Sequence, residues 1–220
     1  MTPVITAVAT EFTNKTDSIT IYSLLQNTLI TVNSTCETQK GKCGLVNNDA
    51  VESKLVDTSN NVRLRTVTWG KPETHKQTPI VLVHGLASNA MLWEGAALAL
   101  SSLGHLVTAV DLRGHGLSEK PDTGYDMQTV TKDLAGLLRE IQKQNFVAPV
   151  VCGQSWGGNV VLELAHTQPE LVRGVVCVDG GFLELQNHFS NWDDCAQALR
   201  PPAIAGTRID DFRKYMQRSH

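Results

Sequence analysis

A serine stands between small residues in the stretch Gly-Gln-Ser-Trp-Gly-Gly of residues 153–158. A serine hydroxyl held on a sharp turn between a strand and a helix can attack a carbonyl carbon. The apolar residues 147–152 predict a buried strand before the turn, and residues 157–168 predict a helix after it. This context favours Ser155 as a catalytic nucleophile over a passive serine in a glycine-rich turn.

The residues around Ser155 fit that chemistry in two ways. A nucleophile on such a turn has a strained backbone, so the positions two residues away must be small, and here they are Gly153 and Gly157. A helix that begins at Trp156 points unpaired backbone N–H groups and the positive end of its dipole toward the serine. Both would stabilise negative charge that develops on a substrate carbonyl oxygen.

Predicted strands and helices alternate along the chain around this turn. Residues 51–69 read as two strands joined at Ser59-Asn60-Asn61, and later strands are predicted at 78–85, 105–114, 147–152 and 172–181. Helices are expected after Asn89, after Asp126 and over 157–168. The order predicts an α/β fold with a mostly parallel, doubly wound sheet.

Three motifs in this order resemble the α/β-hydrolase superfamily, in its serine-nucleophile branch. They are His84-Gly85 at the end of a strand, Asp-Leu-Arg-Gly-His-Gly-Leu-Ser over 111–118, and the nucleophile elbow, the turn at Ser155. The likeness runs from about Val51 to the end of the chain. It implies an oxyanion hole formed by the backbone N–H groups of Leu86 and Trp156.

The resemblance implies an esterase-like serine hydrolase. Such an enzyme would act on an ester or other acyl bond of a small molecule through an acyl-enzyme on Ser155, with no cofactor and no metal. Family members that open epoxides or remove halide carry an aspartate at the elbow instead. The polar residues near the other two motifs are expected to be structural: His84, Asp111, Arg113, His115 and Ser118.

The catalytic acid and base are not assigned by the sequence. Asp179 ends the strand at 172–181, a position that a minority of the family uses for the acid, although a role in the turn is the alternative. His166, His188 and His220 do not follow a strand that would place them beside Ser155. We therefore expect an incomplete chain, which stops before the strands that carry the acid and the histidine in the family.

The chain is expected to have three parts. Residues 1–50 are predicted to be a weakly structured N-terminal extension, 51–181 a partial α/β-hydrolase core, and 182–220 the start of helices that form a lid. Two further interpretations stay open. The chain could be a non-catalytic member that binds a small molecule or a protein, or an inactive remnant with exposed apolar sheet.

Composition excludes several classes of protein. A net charge of −3 and a pI near 6.1 argue against nucleic-acid binding. The sequence shows neither a long apolar run nor a basic leader, so no membrane span or secretory signal is expected. Five cysteines form no even disulfide framework, and Cys36 with Cys43 supply only two of the four ligands usual for zinc. A cytoplasmic protein is expected, and its oligomeric state is not predicted.

Overall fold

The structure is a computed structural model. It describes residues 4–8, 18–23, 28–33, 51–72, 77–143, 147–181, 189–199 and 208. These residues fall into two compact units, Met1–Leu183 and Glu184–His220.

The first unit contains nine strands among its described residues. Three lie in the first fifty residues: β1 (Val4–Val8), β2 (Ser18–Ser23) and β3 (Thr28–Asn33). The other six are β4 (Val51–Asp57), β5 (Arg63–Trp69), β6 (Ile80–Val83), β7 (Val107–Val110), β8 (Val150–Gln154) and β9 (Gly174–Val178).

Seven of these strands form one sheet in the order β1-β9-β8-β6-β7-β5-β4, and β2 pairs with β3 separately. The five strands from β1 to β7 in that order are parallel, whereas β5 and β4 are antiparallel to their neighbours. Connections between parallel strands must cross a face of the sheet, and helices make those crossings. The predicted α/β class and the mostly parallel sheet are confirmed.

Helices follow the strands as the sequence indicates. A 3₁₀ turn (Ala90–Trp93) leads into α1 (Glu94–Ser102), and α2 (Met127–Gln142), α3 (Trp156–Thr167) and a 3₁₀ turn at Pro169–Leu171 follow. The side chain of Asn89 accepts a hydrogen bond from Met91 N, and that of Asp126 accepts one from Thr129 N. Both predicted caps are therefore present. In the second unit, α4 covers Trp192–Leu199.

The hydrophobic core has a layer on each face of the sheet. Successive residues of β6 point to opposite faces, so Val81 and Val83 belong to one layer and Leu82 to the other. The first layer includes buried residues of α2 and α3, such as Leu134 and Val161, whereas the second includes Ala97 and Leu100 of α1. Burial on both faces explains why the central strands are continuous apolar runs.

Differences from the predictions lie at element boundaries and in the first fifty residues. β8 begins at Val150 and continues to Gln154, directly before Ser155, instead of covering 147–152. The strand β1, within the expected extension, pairs in parallel with β9 in the main sheet. The division into 1–50, 51–181 and 182–220 stays a prediction.

Candidate active site

Ser155 is the single residue between β8 and α3, and its backbone has φ +52° and ψ −124°. A residue with a Cβ rarely adopts a positive φ, and such a conformation costs about 1–3 kcal/mol unless the surrounding structure holds it. Two hydrogen bonds hold it here: Ser155 N donates to Val178 O (3.0 Å), and Gly158 N donates to Ser155 O (2.8 Å). The serine is partly exposed and lies at the carboxyl edge of the sheet.

Three glycines allow the chain to close around this turn. A Cβ at Gly153 would lie 2.2 Å from Gly157 O, and one at Gly157 would lie 2.5 Å from His84 O. The sequence indicated that both positions had to be small. It did not single out Gly180, where a Cβ would lie 2.1 Å from Ser155 O. The two consecutive glycines that end the strand predicted at 172–181 were the signal for that close approach.

The turn that follows β6 lies beside the serine. A Cβ built on Gly85 would be 3.0 Å from the Cβ of Ser155, so Gly85 packs directly against the serine. Leu86 is the next residue in the chain. The backbone N–H groups of Leu86 and Trp156 donate to no residue that the structure describes. Trp156 is also the first residue of α3, where helix N–H groups have no partner within the helix. Their use as an oxyanion hole stays a prediction.

Both ring nitrogens of His84 are engaged within the protein. Its Nε2 accepts a hydrogen bond from Leu112 N (3.1 Å), so Nδ1 carries the proton and donates to Gly85 O (2.7 Å). The ring is completely buried, and burial lowers the pKa of His84. A neutral ring with both nitrogens occupied holds the Gly85 turn in place and is not available as a base.

Asp111 joins the loops that follow β6 and β7. Its Oδ1 accepts from Ala90 N (2.6 Å), and its Oδ2 accepts from Leu117 N (2.9 Å) and pairs with Arg65 (3.2 Å). The Ser118 hydroxyl donates to Asp111 O (2.5 Å). These buried contacts agree with the structural role expected for Asp111 and Ser118.

Arg113 forms a buried, two-point ion pair with Asp133 of α2. Its Nε and Nη2 donate to the two carboxylate oxygens at 2.6 and 3.0 Å, and Nη1 donates to Thr123 O. Asn60 Nδ2, in the turn between β4 and β5, also donates to Asp133 (2.6 Å). Asp133 was missed by sequence reasoning, and its signal was a charged residue on the apolar face of α2.

The described residues bring Asp179 close to Ser155, but no described histidine is hydrogen-bonded to the serine, and His84 nearby has both ring nitrogens engaged. His166 is exposed near the end of α3, about 16 Å along the helix from the serine. His115 uses Nδ1 on Arg113 O (2.9 Å) and lies 4.9 Å from His84, measured between ring centroids. His188 and His220 lie outside the described residues. Asp179 is exposed, directly after β9, and has φ +48°.

The cysteines of the core do not add a second nucleophile. Burial raises the pKa of the Cys152 thiol to about 12 and also raises that of Cys177. Both thiols are therefore protonated at neutral pH. Cys36 and Cys43 lie outside the described residues, and within the described ranges no three His, Cys, Asp or Glu side chains cluster as metal ligands would. No described helix has the length and apolar character needed to cross a bilayer.

Comparison with known proteins gives a family match over most of the core. Residues 78–213 match a family model described as the alpha/beta hydrolase fold. A 2-(acetamidomethylene)succinate hydrolase of Mesorhizobium japonicum is 34% identical over 121 residues, which are 55% of this chain and 42% of that protein. Epoxide hydrolase A of Mycobacterium tuberculosis is 38% identical over 114 residues, covering 51% of this chain and 33% of that one.

A solved structure agrees with these sequence matches. The crystal structure of epoxide hydrolase A from Mycobacterium thermoresistibile superposes with a TM-score of 0.52 and 34% identity, covering 58% of this chain and 39% of that chain. The chain spans less than half of the length of each of these three proteins.

Proposed function

The chain belongs to the α/β-hydrolase family, and on that premise we propose that it hydrolyses an ester or other acyl bond of a small molecule. The reaction would pass through an acyl-enzyme on Ser155. The observation that carries this proposal is the conformation of Ser155, a partly exposed serine with φ +52° between a buried strand and a helix. A fold alone implies no chemistry, but a strained nucleophile position at its carboxyl edge does.

The proposed steps use two backbone donors. Ser155 Oγ attacks the carbonyl carbon, its proton passes to a general base, and the carbonyl oxygen becomes an oxyanion held by the N–H groups of Leu86 and Trp156. The leaving group departs with a proton, and water then releases the acyl group from the serine. No described histidine is hydrogen-bonded to Ser155, so the role of base is left to a group outside the described residues, where His188 and His220 lie.

The identity of the nucleophile favours acyl chemistry over epoxide opening. Two of the similar proteins are epoxide hydrolases by name. The family resemblance implies an aspartate at the elbow for that reaction, whereas this chain has Ser155. A serine ester formed from an acyl substrate is readily hydrolysed, which makes acyl transfer to water the best match to a hydroxyl nucleophile.

Hydrolysis of short-chain 4-nitrophenyl esters tests the proposal. We expect the purified chain to release nitrophenol and Ser155→Ala to lose at least about a hundredfold in kcat/KM. Ser101→Ala is the matched control, because Ser101 is partly exposed in the last turn of α1 and its hydroxyl donates to Leu98 O (3.0 Å). Equal rates for wild type and Ser155→Ala would contradict the proposal.

A second candidate is a binding protein without catalysis. It is favoured by one observation, that the described part of the chain places no histidine against Ser155. Under this alternative, small acyl compounds would raise the melting temperature without being hydrolysed. For either function we infer a small-molecule ligand. We also infer a cytoplasmic location, because five cysteines are an odd number and do not form a disulfide framework.

A further inference from the structure

Asp179 lies next to Ser155 across two parallel strands. Gln154 of β8 and Val178 of β9 are paired in the register of the two strands. Ser155 follows Gln154, and Asp179 follows Val178. Ser155 N donates to Val178 O, and a Cβ at Gly180 would be 2.6 Å from Ser155 Cα, so both neighbours of Asp179 touch the serine. Adjacent strands are about 5 Å apart, which places Asp179 beside the candidate nucleophile.

The carboxylate of Asp179 has no partner among the described residues. It is exposed, and it makes no ion pair and no side-chain hydrogen bond within the described ranges. Two charged residues of the loop that follows β7 are neutralised in pairs: Asp111 with Arg65, and Arg113 with Asp133. Asp179 therefore contributes a negative charge beside Ser155 that no described residue neutralises.

The fold does not require a charge at this position. The backbone of Asp179 has φ +48°, a left-handed conformation that glycine and asparagine adopt at least as readily. A carboxylate is thus one of several residues that the turn would accept. What distinguishes aspartate from these alternatives is its negative charge.

We propose that Asp179 selects substrates by charge, favouring acyl groups that carry a positive charge near the reacting carbonyl and disfavouring anionic ones. This inference rests on the proposed function. The separation of the two residues is below the Debye length, about 10 Å at 0.1 M salt, so the carboxylate acts on a charge in a bound acyl group. By Coulomb's law, oppositely charged acyl groups should differ about tenfold in rate through this one carboxylate.

Three 4-nitrophenyl esters of matched length test the proposal. Their acyl groups are 4-(trimethylammonio)butanoate, neutral 5,5-dimethylhexanoate and anionic 4-sulfobutanoate, and kcat/KM is measured at pH 8 and low salt. We expect the ratio of cationic to anionic ester to fall about tenfold in Asp179→Asn, which keeps the left-handed backbone. We also expect 1 M salt to reduce this ratio in the wild type.

Glu170→Gln is the matched control, since it removes one exposed negative charge from the 3₁₀ turn beyond the far end of α3, about 18 Å from Ser155. Its ratio should equal that of the wild type. A ratio unchanged by Asp179→Asn, or an equal fall with all three esters, would overturn the charge selection while leaving Ser155-dependent hydrolysis in place. Failure of the folded wild type to hydrolyse any of the three esters would overturn the proposed function and this inference together.

Discussion

Gly157 lies against the carbonyl oxygen of His84, so closely that a Cβ at Gly157 would stand 2.5 Å from it. The same Cβ would be 2.6 Å from Val83 O. The first turn of α3 therefore packs directly on the backbone at the end of β6. This contact sets the spacing between the Ser155 turn and the turn that carries Leu86, and no side chain intervenes.

Gly157→Ala should damage the protein because both atoms in its way are backbone oxygens. We expect a loss of about 1–3 kcal/mol in the free energy of unfolding, measured with urea, since neither oxygen can move without shifting a strand. Gly95→Ala is the control, because nothing lies within 4 Å of a Cβ there and Gly95 is exposed in the first turn of α1. That variant should be unchanged or more stable by up to about 1 kcal/mol. Equal effects at both sites would contradict the packing described here.

Ser155→Gly should stabilise the fold while abolishing catalysis. Glycine adopts a positive φ without the steric cost that a Cβ imposes at +52°, so we expect the free energy of unfolding to rise by about 1 kcal/mol. Ser155→Ala keeps the Cβ and removes only the hydroxyl, and it should leave stability close to that of the wild type. The comparison uses thermal unfolding of the three proteins. A glycine variant less stable than the alanine variant would show that the turn is not strained.

Breaking the ion pair between Arg113 and Asp133 should be costly. The hydrogen bonds that Arg113 donates to Asp133 raise the pKa of Arg113, and both side chains are buried, so removing one leaves the other as an uncompensated charge. We expect Arg113→Met to lose about 3–5 kcal/mol of unfolding free energy in urea titrations. Lys143→Met breaks the exposed pair with Glu140 and should cost no more than about 1 kcal/mol. Similar losses of unfolding free energy for the two variants would contradict the expected difference between the buried and the exposed ion pair.

His84 should make stability depend on pH. Burial lowers its pKa in the folded protein, so the unfolded chain binds a proton at higher pH than the folded chain does. The stabilisation from a neutral ring is complete above about pH 6.5, the ordinary pKa of histidine, and is lost as the pH falls below it. His84→Gln retains an acceptor for Leu112 N but no titrating ring.

The measurement for His84 is the unfolding free energy between pH 7.5 and 5.5. The wild type should lose stability more steeply than His84→Gln, by up to about 1.4 kcal/mol per pH unit. His166→Gln removes an exposed histidine instead and should keep the slope of the wild type. If the unfolding free energy changes with pH equally in the wild type and in His84→Gln, the lowered pKa of the buried ring is contradicted.

Much of the core could be predicted because short-range rules decide it. The apolar runs that form β6 and β7 are buried on both faces, so continuous apolar sequence predicts each of them directly. The caps at Asn89 and Asp126 are equally local. The small residues at 153 and 157 follow from the turn at Ser155, because the strained backbone there leaves no space for side chains.

Long-range pairing could not be predicted in the same way. The partner of Arg113 is Asp133 on another element, and the contact of Gly180 with Ser155 depends on the register of β8 and β9. The pairing of β1 with β9 joins strands that are far apart in the sequence, Val4–Val8 and Gly174–Val178, and no local sequence pattern indicates it. Such contacts are set by the order of strands in the sheet, which periodicity does not specify.

Covalent capture of Ser155 is a direct test of whether this serine is an activated nucleophile. The purified, folded chain is treated with an alkyl fluorophosphonate and digested, and the modified peptide is identified by mass spectrometry. We expect one phosphonyl group, on Ser155 Oγ, and none on Ser155→Ala or on Ser101, which is partly exposed like Ser155. A folded chain whose Ser155 stays unmodified, or is modified no faster than Ser101, would contradict the claim that this residue is an activated nucleophile.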